Sequence, residues 1–292
     1  MSAAGDSDAA FCAALVREAD FDRYAATLFV PPEKRRSLLA LAAFNAEIVR
    51  VRGQVSQPLP GEIRLQWWSD LLAGSSHGDP GGNPVAAELL RVIERHALPV
   101  APLTRLIEAH IFDLYNDPMP DWSVLEPHLA ETEGALISLS AQALGQGAGQ
   151  ASDAIDHVAR HAGVVVGVAR IVARLPYDSA RRQLYLPNDV LQRHGCDLEQ
   201  VFGGQSGPAL KAALADVIAE ARKHLDQALK ELTELPTAVR PAFLSLALAR
   251  RDLDQLASPD RDPFTPFDRS RLATLWALWA LWRANRSRTF RK

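Results

Sequence analysis

Hydrophobic positions recur at three- and four-residue steps along most of the chain. Between Arg36 and Val51, the residues Leu38, Leu39, Leu41, Ala42, Ile48 and Val49 mark one side of a helix. Pro31 and Pro32 stand just ahead of it, where the missing N–H of a proline costs a helix nothing. The same periodicity predicts helices over Glu62 to Leu72, Pro84 to His96, Pro102 to Leu114, Trp122 to Leu144 and Ser152 to Leu175, then Ala209 to Leu232, Ala238 to Leu253 and Ser270 to Asn285. Glycine and proline interrupt the pattern at Gly74 to Pro84, Asp117 to Trp122 and Gly203 to Pro208. Gln183 to Leu186 could pair as a strand, but four residues do not make a sheet. The pattern therefore predicts an all-α, single-domain bundle of roughly eight to eleven helices, given a typical helix length of about 11 residues.

Composition narrows this picture without changing it. Of 292 residues, 48% are hydrophobic and 23% charged, which excludes extended disorder and collagen. The cysteines are Cys12 and Cys196, too few for a disulfide framework and consistent with a reducing compartment. No basic, apolar secretory leader is evident, and no run reaches the ~18 apolar residues of a membrane span. The expected location is cytoplasmic, with peripheral contact at the inner membrane left open. The net charge of −3 hides a split: from Arg269 onward there are seven basic residues and no acidic ones, so the first 268 residues carry −10. No second basic stripe supports nucleic-acid binding.

Candidate chemistry is sparse. Phosphate-cradling and nucleophile-elbow motifs are absent from the sequence. Asp113 and Asp117 are four apart, and on a helix they would stack as a pair able to clamp Mg²⁺. The alternative is a solvated helix end. His157 and His161 share the same spacing, but a metal site needs further converging ligands, so two helix-surface histidines are the simpler reading. Near the C-terminus, Trp276, Trp279 and Trp282 form a slanted stripe with Arg283 and Arg286 beside it. That stripe is either a core helix with a basic tail or a surface that docks on a membrane or a partner.

Several segments taken together resemble the squalene/phytoene synthase family. They are Phe21 to Val30 followed by Pro31 to Arg36, ALAAFNAE (Ala40 to Glu47), EAHIFDL (Glu108 to Leu114) and, most specifically, DSARRQLYLPNDVLQRHGC (Asp178 to Cys196). The resemblance implies an isoprenoid-synthase-type helical bundle around a central cavity. On that basis residues 1–20 are expected to be a partly flexible lead-in. Residues 21–268 would form the helical domain, and 269–292 a Trp/Arg-rich helix and tail belonging to it. Active members of the family join prenyl diphosphates head to head, using Mg²⁺ held by two aspartate-rich helices to neutralise the leaving group.

The chain departs from that pattern at both aspartate motifs. Val49, Arg50 and Gly53 occupy the expected positions of the first motif. Arg174 stands at the first position of the second, with Asp178 at its other end. A polar pair on the preceding turn becomes Gly167 and Arg170. Guanidinium cannot lose its proton in a protein, so it repels Mg²⁺ at any pH. The run from Ala43 to Trp68, with Arg64, Gln66 and Trp68, together with Asn83 to Leu89 and the ETEGALISL stretch, resembles the branch of complex I assembly factors and their bacterial relatives. That branch implies a non-enzymatic protein without a cofactor, which works with a respiratory complex I subunit or assembly intermediate. Two alternatives stand beside it. One is a Mg²⁺-dependent prenyl transferase in which Asp113, Asp117 and Asp178 hold metal and Arg50, Arg174, Arg181 and Arg182 bind diphosphate. The other is a carrier of an isoprenoid, quinone or similar lipid-like ligand.

Overall fold

In the computed structural model the described residues are 3–75, 82–145, 152–267 and 269–286, with backbone alone at 3–4, 152 and 280–286. Helices dominate, and no strand occurs among the described residues. In chain order they are α1 (Ala3–Ala19), α2 (Phe21–Thr27), α3 (Pro32–Gln54), α4 (Pro58–Leu72), α5 (Pro84–His96) and α6 (Ala101–Ala109). There follow α7 (Trp122–Leu129), a π turn (Ala130–Gly134), α8 (Ala135–Gly145), α9 (Ser152–Ala180), α10 (Asn188–Arg193) and α11 (Leu198–Phe202). The chain ends with α12 (Pro208–Leu232), α13 (Leu244–Leu256) and α14 (Arg271–Arg286).

Local chemistry sets many of these boundaries. Pro32 opens α3, Pro58 opens α4 and Pro208 opens α12, each in the first turn, where a proline suits the helix. Asn83 caps α5, its side-chain oxygen accepting from the backbone N–H groups of Val85 and Ala86 at 3.0 and 3.2 Å. Gln183 to Leu186 is irregular and runs beside the loop before α7: Met119 donates its N–H to Leu184 and Asn188 donates to Met119.

Several of the sequence expectations change, beginning with the count, since the described residues hold fourteen α-helices rather than eight to eleven. The lead-in expected over residues 1–20 is largely α1, which packs on α3 and α5 and buries Cys12 and Val16. Amphipathic burial fixes this segment as part of the bundle. The helix expected from Pro102 to Leu114 stops at Ala109. A short 3-10 turn, Phe112–Leu114, follows it, and Tyr115 turns extended ahead of Pro118.

Two apolar clusters fill the interior. One is built around α3, with Leu41, Phe44 and Ile48, and extends to Trp68 of α4, which meets Phe44 edge-on at 5.2 Å. The other surrounds α9, which packs on α12, α13, α8 and the π turn. Helix α8 serves both: Leu136, Leu139 and Ala143 face the first cluster, Ile137 and Ala141 the second. Helix α8 is thus the shared wall of two packed halves, with Ser140 and Gln142 half-buried along it.

Candidate functional site

A cavity of about 370 Å³ opens where α2, α9, α13 and the approach to α14 meet. Its charged walls come from helices far apart in sequence. Asp20 caps α2, accepting the N–H of Arg23 at 3.1 Å. The same carboxylate takes the guanidinium of Arg23 at 3.2 Å and that of Arg170 at 2.6 Å. Glu133 closes the ring, pairing with Arg23 and lying 3.4 Å from Arg170. Two guanidiniums thus serve two carboxylates. Burial alone would push Asp20 up, but Arg170 and Arg23 hold it at about 2. The Arg170 guanidinium is raised in turn: burial works against its charge, and Asp20 and Glu133 outweigh it.

The π turn is what delivers Glu133 to this ring. It forms after Pro127, which supplies no N–H to the helix, and the Thr132 hydroxyl donates back to the His128 carbonyl at 2.8 Å. It also lies hard against α9. A Cβ on Gly163 would stand 2.3 Å from the backbone nitrogen of Gly134, so only glycine permits the approach. One turn on, a Cβ on Gly167 would meet the Leu129 side chain at 2.4 Å. Where the resemblance places a polar pair, the structure therefore has Leu129 packed over Gly167 and Arg170 tied to two carboxylates.

A second set of charges lines the same cavity. Arg269 pairs with Asp252 of α13 and lies 3.3 Å from Asp22 of α2. The hydroxyl of Thr274 donates to Asp22 at 3.0 Å. Burial pushes Asp252 up to about 6, with Arg269 opposing and Asp22 adding to the rise.

The residues singled out from sequence are only partly brought together. Asp113 and Asp117 do not form a stacked pair, which corrects the expectation of an i, i+4 clamp: the helix has ended, Asp113 is buried and Asp117 is exposed. Asp113 accepts from His110 at 2.6 Å and from the Tyr185 hydroxyl at 2.8 Å, while Gln183 donates to its backbone carbonyl at 3.1 Å. Burial opposes its charge, but His110, His128 and Tyr185 keep its pKa below the ordinary carboxylate value. Asp178 is buried near enough to feel Asp113, and its pKa is raised by that burial despite the Arg174 guanidinium at 3.2 Å. Arg181 is exposed and acts on Asp178 only through its charge. Arg182 turns away to Glu199 at 3.0 Å and stacks over Phe202. Arg50 pairs with Glu47 of its own helix at 2.8 Å. His157 reaches Glu231 at 3.3 Å, and His161 meets His224 at 2.9 Å, so both pack against α12. Trp276 and Trp279 are exposed on α14; the side chains of Trp282, Arg283 and Arg286 lie outside the described residues.

These residues do not fit a Mg²⁺ cluster. Among the described residues no group of three or more His, Cys, Asp or Glu side chains could hold a metal ion. The carboxylates nearest the family's metal positions are either bonded to histidine and tyrosine or paired with arginine. A mixed apolar and polar void between α2, α3, α8 and Ala242, with Arg23 and Ser140 in its wall, is about 40 Å³. That is far below the ~300–1,000 Å³ of ordinary ligand sites. Sequence reasoning missed Asp20, Arg23, Glu133, Asp252 and Arg269. Apart from the i, i+3 pair of Asp20 and Arg23, their partners lie far along the chain, 110 residues for Arg23 and Glu133 and 150 for Asp20 and Arg170, and Arg269 reaches back to Asp22.

The fold has clear counterparts among solved structures. A dehydrosqualene synthase in complex with a ligand superposes with a TM-score of 0.78 at 16% identity, covering 97% of this chain and 98% of that one. A squalene synthase from Alicyclobacillus acidocaldarius gives 0.66 at 19% identity, over 98% and 97%. The architecture is thus that of the helical isoprenoid synthases. The squalene/phytoene synthase family model matches residues 16–277, and the chain belongs to that family. Among its relatives, NADH dehydrogenase (ubiquinone) complex I, assembly factor 6 of Mus musculus is 30% identical over 256 residues, covering 88% of this chain and 76% of that one. The Homo sapiens protein of the same name is 28% identical over the same shares. Phytoene synthase 2, chloroplastic, of Solanum lycopersicum is 25% identical over 83% and 79%. No helix among the described residues is long and apolar enough to cross a membrane.

Proposed function

We propose that the chain is a catalytically silent member of its family that serves the assembly of respiratory complex I, binding a subunit or an assembly intermediate. One observation carries the silent half of this reading. Arg170 stands where the resemblance places a polar residue of the metal face, and its charge is already spent on Asp20 and Glu133. A leaving diphosphate would need Mg²⁺ to neutralise it, and the site offers guanidiniums locked into internal pairs. The names of the relatives support the assembly half. No cofactor is required for such a role.

Two experiments test the proposal. The purified chain is offered farnesyl and geranylgeranyl diphosphate with Mg²⁺, and diphosphate release is followed. None is expected; formation of a head-to-head product overturns the catalytic half. In the native host, deletion of the gene should lower NADH:ubiquinone oxidoreductase activity and the amount of assembled complex in native gels. Re-expression of an Asp178→Asn variant should restore both. Wild-type complex I levels in the deletion strain overturn the assembly half.

A further inference from the structure

We propose that the outer face of α14 docks the protein on an anionic lipid bilayer. The inner face fixes how the helix sits. Ala277 and Leu278 are buried against Ala25 and Leu248, Thr274 is buried and donates to Asp22, and Arg269 ties the segment to Asp22 and Asp252. With that face committed, Leu272, Trp276 and Trp279 are turned outward, 78%, 65% and 42% exposed. They follow one another at steps of four and three, so they form a single stripe along the helix. Two large indoles and a leucine left on the surface of a folded chain mark a contact site.

Charge selects the occupant. The chain before Arg269 carries −10, and the end from Arg269 carries seven cations and no acid. Arg269 is consumed in ion pairs and Arg271 stacks over Phe21 at 4.9 Å. Arg283, Arg286, Arg288, Arg291 and Lys292 follow the stripe in the sequence. A second copy would bring the same cations against each other. A purely electrostatic partner would leave Leu272 and Trp276 without a role. An anionic bilayer satisfies both, taking indole and leucine at the acyl boundary and arginine among the head groups. Docking of this kind does not depend on whether the chain serves complex I.

The test uses the full chain with two vesicle preparations, phosphatidylcholine alone and equal parts phosphatidylcholine and phosphatidylglycerol. Sedimentation with the anionic vesicles only, weakened by added salt, is expected. The Leu272→Ser/Trp276→Ser double variant should bind about tenfold more weakly, since two apolar side chains no longer leave water. Its thermal midpoint should match wild type, because both side chains are exposed. Equal sedimentation of wild type and double variant overturns the proposal, as does the absence of binding to anionic vesicles. A wild-type dimer that the double variant loses would assign the face to a second copy and overturn it as well.

Discussion

Asp20 and Asp252 line the same cavity, each with a side chain 14% exposed, yet their protons behave oppositely. Asp20 is held at about 2, whereas Asp252 is pushed up to about 6. Burial penalises both. What differs is the supply of paired cations: among the described residues Asp20 and Glu133 share two guanidiniums, Arg23 and Arg170, while Asp22 and Asp252 pair with one, Arg269, and Arg251 and Arg170 act on Asp252 only through their charge. A buried carboxylate is stabilised by its full complement of partners and destabilised when it must divide one. Arg170 thus completes a charge-balanced ring with Arg23, Asp20 and Glu133, whereas the neighbouring set has two carboxylates paired with one guanidinium.

The most direct way to break the comparison is to remove Arg170. An Arg170→Met protein leaves Asp20 and Glu133 with Arg23 alone and should lose about 3 kcal/mol in urea unfolding, the low end for a broken buried pair because the arginine is 37% exposed. A loss below about 0.5 kcal/mol, the scatter of a neutral surface substitution, would mean the ring does not hold the fold. Asp252 gives the next largest effect. Its folded pKa lies above its unfolded value, so its contribution is fully present below pH ~4 and is lost as pH rises through about 6. Stability should fall by about 3 kcal/mol across that window, and Asp252→Asn should flatten the profile there. Asp20 has the opposite sign. Its folded pKa is depressed, so its stability is present above pH ~4 and lost as pH falls through about 2. Some 2 kcal/mol of acid sensitivity should disappear in Asp20→Asn when each variant is compared with its own neutral-pH value.

Two smaller effects sharpen the point. Gly167→Ala pushes a methyl into Leu129, which is a flexible side chain and can shift, so a cost of about 1–2 kcal/mol is expected in thermal unfolding. Asp117→Asn alters an exposed carboxylate outside either network and should stay within about 0.5 kcal/mol of wild type.

Much of the fold was legible in the sequence because helical signals are local. The apolar steps between Arg36 and Val51 mark α3, Pro31 and Pro32 mark its start, and the YLPND segment carries the family likeness, whereas α4 begins at Pro58, ahead of the Glu62 that periodicity suggests. Helix ends were less legible. Periodicity carries the helix on to Leu114, yet the chain leaves it at Ala109, so a carboxylate pair that looks stacked in sequence is split between a buried and an exposed position.

By itself the sequence determined an all-α bundle, its family framework and the presence of Arg50, Arg170 and Arg174 in the segments that resemble the family's metal-binding helices. Only the tertiary structure decided what those arginines do. Arg50 and Arg174 remain with acids of their own helices, whereas Arg170 reaches across 150 residues to Asp20. Its other carboxylate, Glu133, depends on the π turn, since one extra residue in a turn swings the following side chains by roughly 100°. That rotation is stabilised by Gly134 lying against Gly163, a contact between two helices that no stretch of either one encodes. Periodicity is written in neighbours along the chain; the neutralisation of a buried charge depends on neighbours in space.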